Sequence, residues 1–224
     1  MERHFLHELD ELNTELVKMA AMAESAIGKA VEAVKTRDPE MAKAVIDGDE
    51  QIDEWELIIE EKAIDLLALY QPMAIDLRFI TTGMKINTEL ERIADLAVNV
   101  ANCALNIAEH PLLKPLVDIP RLSTIARQMV KEAIDAFVRH DETLSKQVIL
   151  MDSEADRLRD SIHEELINEY MIKDPATIPR ALPLLLVARH LERICDHATN
   201  IAEDVIYMIN AKVVKHHPER LVGD

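Results

Sequence analysis

One stretch of this chain is written twice. Placing residue i on residue i+103 aligns Ala30 with Ala133, Ala33 with Ala136, Asp38 with Asp141 and Lys43 with Lys146. The same offset aligns Val45 with Val148, Ile46 with Ile149, Asp49 with Asp152 and Asp53 with Asp156. Further along the offset becomes 101, and Glu91-Arg92-Ile93-x-Asp95-x-Ala97-x-Asn99-x-Ala101 falls on Glu192-Arg193-Ile194-x-Asp196-x-Ala198-x-Asn200-x-Ala202. The shift of two residues is absorbed between residues 57–88 and 160–189, where the loops differ. A duplicated sequence folds as two copies of one supersecondary unit that complete each other's core. Residues 1–110 and 111–224 are therefore expected to form two repeats of one elongated domain, connected through Pro111–Pro120.

Each repeat reads as three long helices. Phe5, Leu9, Leu12, Leu16, Met19, Ala23, Ile27, Ala30 and Val34 keep 3/4 spacing, so residues 5–35 form one amphipathic rod. Asp38 then offers a cap and Pro39 a first-turn residue for a second helix over about 39–69. Gln71-Pro72 ends it, and a third helix follows over about 73–109 until His110-Pro111. The second half repeats the order over about 118–139, 141–172 and 176–213. Helices of roughly 30 residues are about 45 Å long, the dimension of a slender bundle. The expected fold class is all-α, two tandem three-helix bundle repeats.

Composition removes most other folds and several functions. Four glycines and nine prolines in 224 residues are too few for the tight reversals of an all-β chain. A net charge of −17 without a basic patch opposes nucleic acid and anionic lipid, and seven aromatics leave little for base stacking. The N-terminus has no apolar signal core, and the apolar run Ala181–Ala188 is broken by Pro183 and too short to span a bilayer. A cytoplasmic protein without direct membrane insertion is expected. Two cysteines, Cys103 and Cys195, supply neither a disulfide framework nor a thiolate metal site.

The repeat places acidic pairs at i, i+4 on two helices of each unit. On the second helix they are Asp49/Asp53 and Asp152/Asp156, and on the third they are Glu91/Asp95 and Glu192/Asp196, followed a turn later by Asn99 and Asn200. Residues four apart share a face, and like charges so placed repel by a few tenths of a kcal/mol, about 0.2–0.5. If the two helices of a unit lie side by side, four carboxylates and an amide oxygen meet in a hard cage suited to Mg²⁺, Ca²⁺, Mn²⁺ or iron. The plain alternative is a solvated acidic face neutralised locally, with Arg92 reaching Asp95 and Arg193 reaching Asp196. His190 and His197 lie near the second row, but their counterparts Glu89 and Leu96 are not histidines, which speaks against a shared ligand role. No Glu-x-x-His occurs, so di-iron oxidase chemistry is disfavoured. Small residues at Ala94, Ala97, Ala101 and Ala104, and at Cys195, Ala198 and Ala202, mark close helix packing. The methionines read as core filler. There is no Gly-rich phosphate loop and no recognisable nucleophilic triad.

Gln71-Pro72-x3-Asp76-Leu77-Arg78-x6-Lys85-x5-Glu91-Arg92-Ile93-Ala94-Asp95-x3-Asn99, echoed by Leu191-Glu192-Arg193-Ile194-Cys195-Asp196-His197-Ala198-x-Asn200, resembles the PhoU family. These are phosphate-specific transport accessory proteins of bacteria and archaea, and the likeness covers essentially the whole chain. The resemblance implies a regulator and not a catalyst: a cytoplasmic homodimer that represses the phosphate-starvation response by acting between the phosphate ABC transporter ATPase and a sensor histidine kinase. It also implies Glu/Asp-x-x-x-Asp motifs that bind divalent or iron-type metal ions, which fall on Asp49/Asp53 with Glu91/Asp95 and on Asp152/Asp156 with Glu192/Asp196. Two departures are Ala94 and Cys195, where the family commonly has Gly. Asp76–Arg78 has no counterpart in the second repeat, and Arg78 reads as either a structural ion pair or a partner contact. Three classes remain open at this point: signalling adaptor, carboxylate-bridged metalloenzyme and purely structural helical scaffold.

Overall fold

The structure, a computed structural model, describes residues 2–213, so Met1 and the last residues of the expected second repeat, 214–224, lie outside the described residues. The described residues are mostly helical and include no strand. Its elements are α1 (Glu2–Thr36), α2 (Pro39–Asp47), α3 (Asp49–Tyr70), α4 (Ala74–Ala108), α5 (Asp118–Arg139), α6 (Glu142–Glu165) and α7 (Ile178–Asn210). These make six rods, because α2 and α3 together form the second one.

The division of that rod at Gly48 was not expected. Gly48 has φ −78° and ψ −11°, its N–H returns to the carbonyl of Ile46, and a Cβ there would stand 3.1 Å from the Ala44 carbonyl oxygen. Glycine is a poor helix former and tolerates that approach, so the ladder is interrupted one residue before Asp49. The fifth rod ends differently: α6 runs into a π-helical turn over Leu166–Met171, followed by a short 3₁₀ turn at Pro175–Thr177 that leads into α7.

The first turn of each repeat is built in the same way. Arg37 and His140, 103 residues apart, both take left-handed backbone, with φ 58° and 53°. The next residue's N–H reaches back to a small alanine: Asp38 N to Ala33 O at 3.1 Å, and Asp141 N to Ala136 O at 2.9 Å. Those aspartates then cap the following helix, Asp38 accepting from the N–H groups of Glu40 and Met41 and Asp141 from that of Leu144.

Four rods form the centre. α1 packs on α4, α4 on α7, α7 on α5 and α5 on α1, while α2 and α3 cover the first repeat's outer side and α6 the second's. The α4–α7 seam is the most extensive contact between rods, and the small residues expected to mark close packing, Ala94, Ala97, Ala101, Ala104, Cys195, Ala198 and Ala202, are all buried. It is antiparallel: Arg78 Nε donates to Met208 O at 2.9 Å, Lys85 Nζ lies 2.7 Å from Asp204 Oδ1, and His197 Nδ1 lies 2.5 Å from Glu89 Oε2. Arg78 is thus a structural contact that satisfies a carbonyl at the end of α7, where a cation also suits the helix dipole. Phe137, wholly buried, stacks on Phe79 at 4.9 Å and ties α5 to α4.

Candidate metal centre

The acidic rows sit on the two flanks, one between α3 and α4 and one between α6 and α7. Each pair of rods packs along its length, so the side-by-side arrangement the rows require is present in both repeats.

In the first repeat, Asp49 opens α3 and Asp53 follows one turn later. Burial raises the Asp49 carboxyl to about 6, and the nearby charges of Asp53 on α3 and Asp95 on α4 push it the same way. Glu91 rises further, to about 7, chiefly through burial and then through Asp95, with Glu56 and Asp53 adding and Arg92 opposing. Glu56 itself is raised by burial and by the carboxylates of Glu60, Asp53 and Asp95. Four carboxylates from the expected set therefore share one field, and Glu56 joins them. Sequence reasoning missed Glu56 because its counterpart in the second repeat is not acidic. The available cation is Arg92, whose Nη1 is 3.2 Å from Asp95 Oδ2 and whose Nε is 3.3 Å from Glu91 Oε2. Glu91 Oε2 is buried and has no hydrogen-bond partner.

The second repeat is built likewise. Asp152 is raised to about 6 by burial, then by Asp196, Asp156 and Glu203, with a hydrogen bond from Thr199 opposing. Glu192 is raised by burial and Asp196 and held back by Arg159, and Asp196 is raised by burial and Asp156. Arg159 Nη2 lies 3.1 Å from Asp156 Oδ1, and its Nη1 lies 3.4 Å from Glu192 Oε1.

The two asparagines are placed differently from each other. Asn99 is exposed, and Asn200 turns its amide nitrogen to Glu89 Oε2 at 3.4 Å on the α4–α7 seam. His197 is committed to the same Glu89, and His190 has a buried Nδ1 with no hydrogen-bond partner, its ring held neutral to lower pH by burial. The seam contacts account for His197 without a ligand role. Cys103 is pushed up to about 11 by burial, and Cys195 is raised more strongly, so both thiols are inert core groups.

Among the described residues, no three His, Cys, Asp or Glu side chains converge in the geometry of a closed metal site. The rows meet as fields and not as a finished coordination shell. Their chemistry nevertheless fits a hard cation: the donors are all carboxylate oxygens, they crowd one another, and the buried Oε2 of Glu91 has no hydrogen bond and only the Arg92 guanidinium beside it. An open groove of about 310 Å³ lies between α1 and the α2–α3 break, lined by Ser25, Lys29, Gly48, Asp49 and Gln51 among others.

Comparison with known proteins bears on both repeats. The PhoU domain family model matches twice, over residues 16–104 and 119–205. The chain is 44% identical over 217 residues to the phosphate-specific transport system accessory protein PhoU homolog of Aquifex aeolicus, covering 97% of this chain and 98% of that protein. It is 38% identical over 206 residues to the homolog of Caulobacter vibrioides, covering 92% and 89%. Among solved structures, the crystal structure of PhoU from Pseudomonas aeruginosa superposes with a TM-score of 0.89 at 37% identity, covering 93% of this chain and all of that one. The phosphate transport system regulatory protein PhoU of Streptococcus pneumoniae gives 0.87 at 28% identity. With both halves matched and the relatives covered nearly end to end, this chain belongs to the PhoU family.

Proposed function

We propose that this chain is a negative regulator of the phosphate-starvation response, a cytoplasmic homodimeric adaptor acting between the phosphate ABC transporter ATPase and its sensor histidine kinase. The observation that carries this is the match to relatives named as phosphate-specific transport system accessory proteins over both repeats and nearly the full chain. Among the described residues no helix is long and apolar enough to cross a membrane, which agrees with a protein that works beside a transporter.

The carboxylate rows are read as its cation sites. Asp49, Asp53, Glu91 and Asp95 hold the first, and Asp152, Asp156, Glu192 and Asp196 the second. Bound there, a divalent or iron-type ion supplies positive charge that offsets the mutual repulsion of the rows. Asp49 and Asp53 would hold it from α3, and Glu91 and Asp95 from α4, so a bound cation would tie the two rods of the flank together. This links the folded state to cation supply and needs no reaction.

Deleting the gene in its native host is expected to derepress phosphate-scavenging genes in phosphate-rich medium, and the purified chain is expected to retain the transporter ATPase and the kinase in a pull-down. Normal repression in the deletion strain would overturn the regulatory reading.

A further inference from the structure

The two rows are not chemically equal. At the offset of 103 that aligns Asp49 with Asp152 and Asp53 with Asp156, Glu56 stands where Arg159 stands. The register holds on both sides of that position, because Ile52 and Ile59 are buried at the places where Ala155 and Ile162 are buried.

Arg159 bridges the two rods of its row. Its guanidinium reaches Asp156 on α6 at 3.1 Å and Glu192 on α7 at 3.4 Å, while its Nε lies 3.0 Å from Asp160 Oδ1. The side chain is 26% exposed, and a planar fork touching one carboxylate from each rod stands where a cation would bridge them. In the first row Arg92 reaches only Glu91 and Asp95, both on its own helix, and its side chain is 57% exposed. Among the described residues no ion pair crosses from α3 to α4, and Glu56 adds a carboxylate where the second row has its arginine. The first row therefore sets Asp49, Asp53, Glu56, Glu91 and Asp95 against Arg92 alone, whereas the second sets Asp152, Asp156, Glu192 and Asp196, with Glu203 nearby, against both Arg159 and Arg193.

Resting on the reading of the rows as cation sites, we infer that Arg159 is the built-in counter-ion of the second row, so that cation binding is ordered: the first repeat takes a divalent cation, and the second takes one only as Arg159 is displaced. The duplicated fold thereby carries one standing site and one responsive site. Displacement of Arg159 breaks its contacts to Asp156 and Glu192, so occupancy of the second site changes how α6 is held to α7.

The test is a Mn²⁺ titration of the chelator-treated full-length chain, reading free Mn²⁺ by electron paramagnetic resonance, with helicity checked by circular dichroism. The wild type is expected to show two classes of site separated by about tenfold or more in affinity, the scale on which a partly shielded charge pair acts. D49N/D53N removes the tight class. R159Q strengthens the weak class about tenfold and leaves the tight class unmoved, whereas R159K, which keeps the charge, stays near the wild type. Two equal classes that R159Q does not move would overturn the ordering while leaving the rows as cation sites. Absence of Mn²⁺ uptake in both the wild type and R159Q would overturn the site reading itself.

Discussion

Nδ1 of His197 lies 2.5 Å from Oε2 of Glu89, and this contact joins the second repeat to the first across the α4–α7 seam. Both side chains are largely shielded, at 18% and 20% exposure, and Asn200 shares the same carboxylate oxygen. Losing the carboxylate leaves the imidazole and the amide short of an acceptor in this shielded place. Glu89→Ala is expected to cost about 1–3 kcal/mol. A urea midpoint that does not move would show that the pair contributes nothing to holding the repeats together.

Core packing between the repeats is tested at Phe137. Its ring is wholly buried and stacks on Phe79, and Phe137→Ala removes a large side chain from a site walled by three rods. The expected loss is about 3–5 kcal/mol. Thermal unfolding of the variant at the wild-type temperature would contradict the placement of that ring.

The paired caps give a matched experiment. Asp38 and Asp141 each accept backbone N–H groups at the start of a helix, in turns related by the duplication. Asp38→Ala and Asp141→Ala should each cost about 1 kcal/mol, and the double variant about the sum, since the sites lie in different repeats. Denaturant curves measure all three.

How far these features could be read in advance depends on what the sequence period encodes. The apolar spacing of Leu12, Leu16, Met19, Ala23 and Ile27 gave α1 nearly to its ends, because packing and period agree there. Asp38 and Asp141 announced the turns through capping chemistry. The break at Gly48 was hidden, since a single glycine leaves the 3/4 pattern intact on both sides. The π-helical turn at Leu166–Met171 was hidden for a similar reason, as it ends a rod whose extent was otherwise right. In the candidate site, the pairing of rows followed from i, i+4 spacing, but spacing on one helix does not say where Asn200 turns. Glu56 and Arg159 are not marked by the repeat, because they occupy an aligned position where its two copies differ.

The raised carboxyls give a pH dependence of definite sign. Glu91 titrates near 7 in the folded chain, and Asp49 and Asp152 near 6, against ordinary values of 4.5 and 3.8. Between those limits the folded state holds more protons than the unfolded chain, so stability falls as pH rises. The cost is absent below the ordinary carboxylate range and complete above the folded values. The cation-free protein should therefore lose melting temperature as pH goes from about 5 to about 7.5, and Glu91→Gln should flatten that slope. A slope unchanged in Glu91→Gln would contradict the burial and repulsion assigned to this carboxyl.

Whether crowded carboxylates on facing rods are a cation site is read most directly from a melting scan with chelator or with Mn²⁺. At a cation concentration about a hundred times the dissociation constant, binding to the folded state adds about 2.7 kcal/mol, which for a chain of this size raises the midpoint by about 5–10 °C. That rise is expected in the wild type, as is its loss when Asp49, Asp53, Glu91 and Asp95 are all made amides. An identical midpoint with chelator and with Mn²⁺ would contradict the cation-site reading.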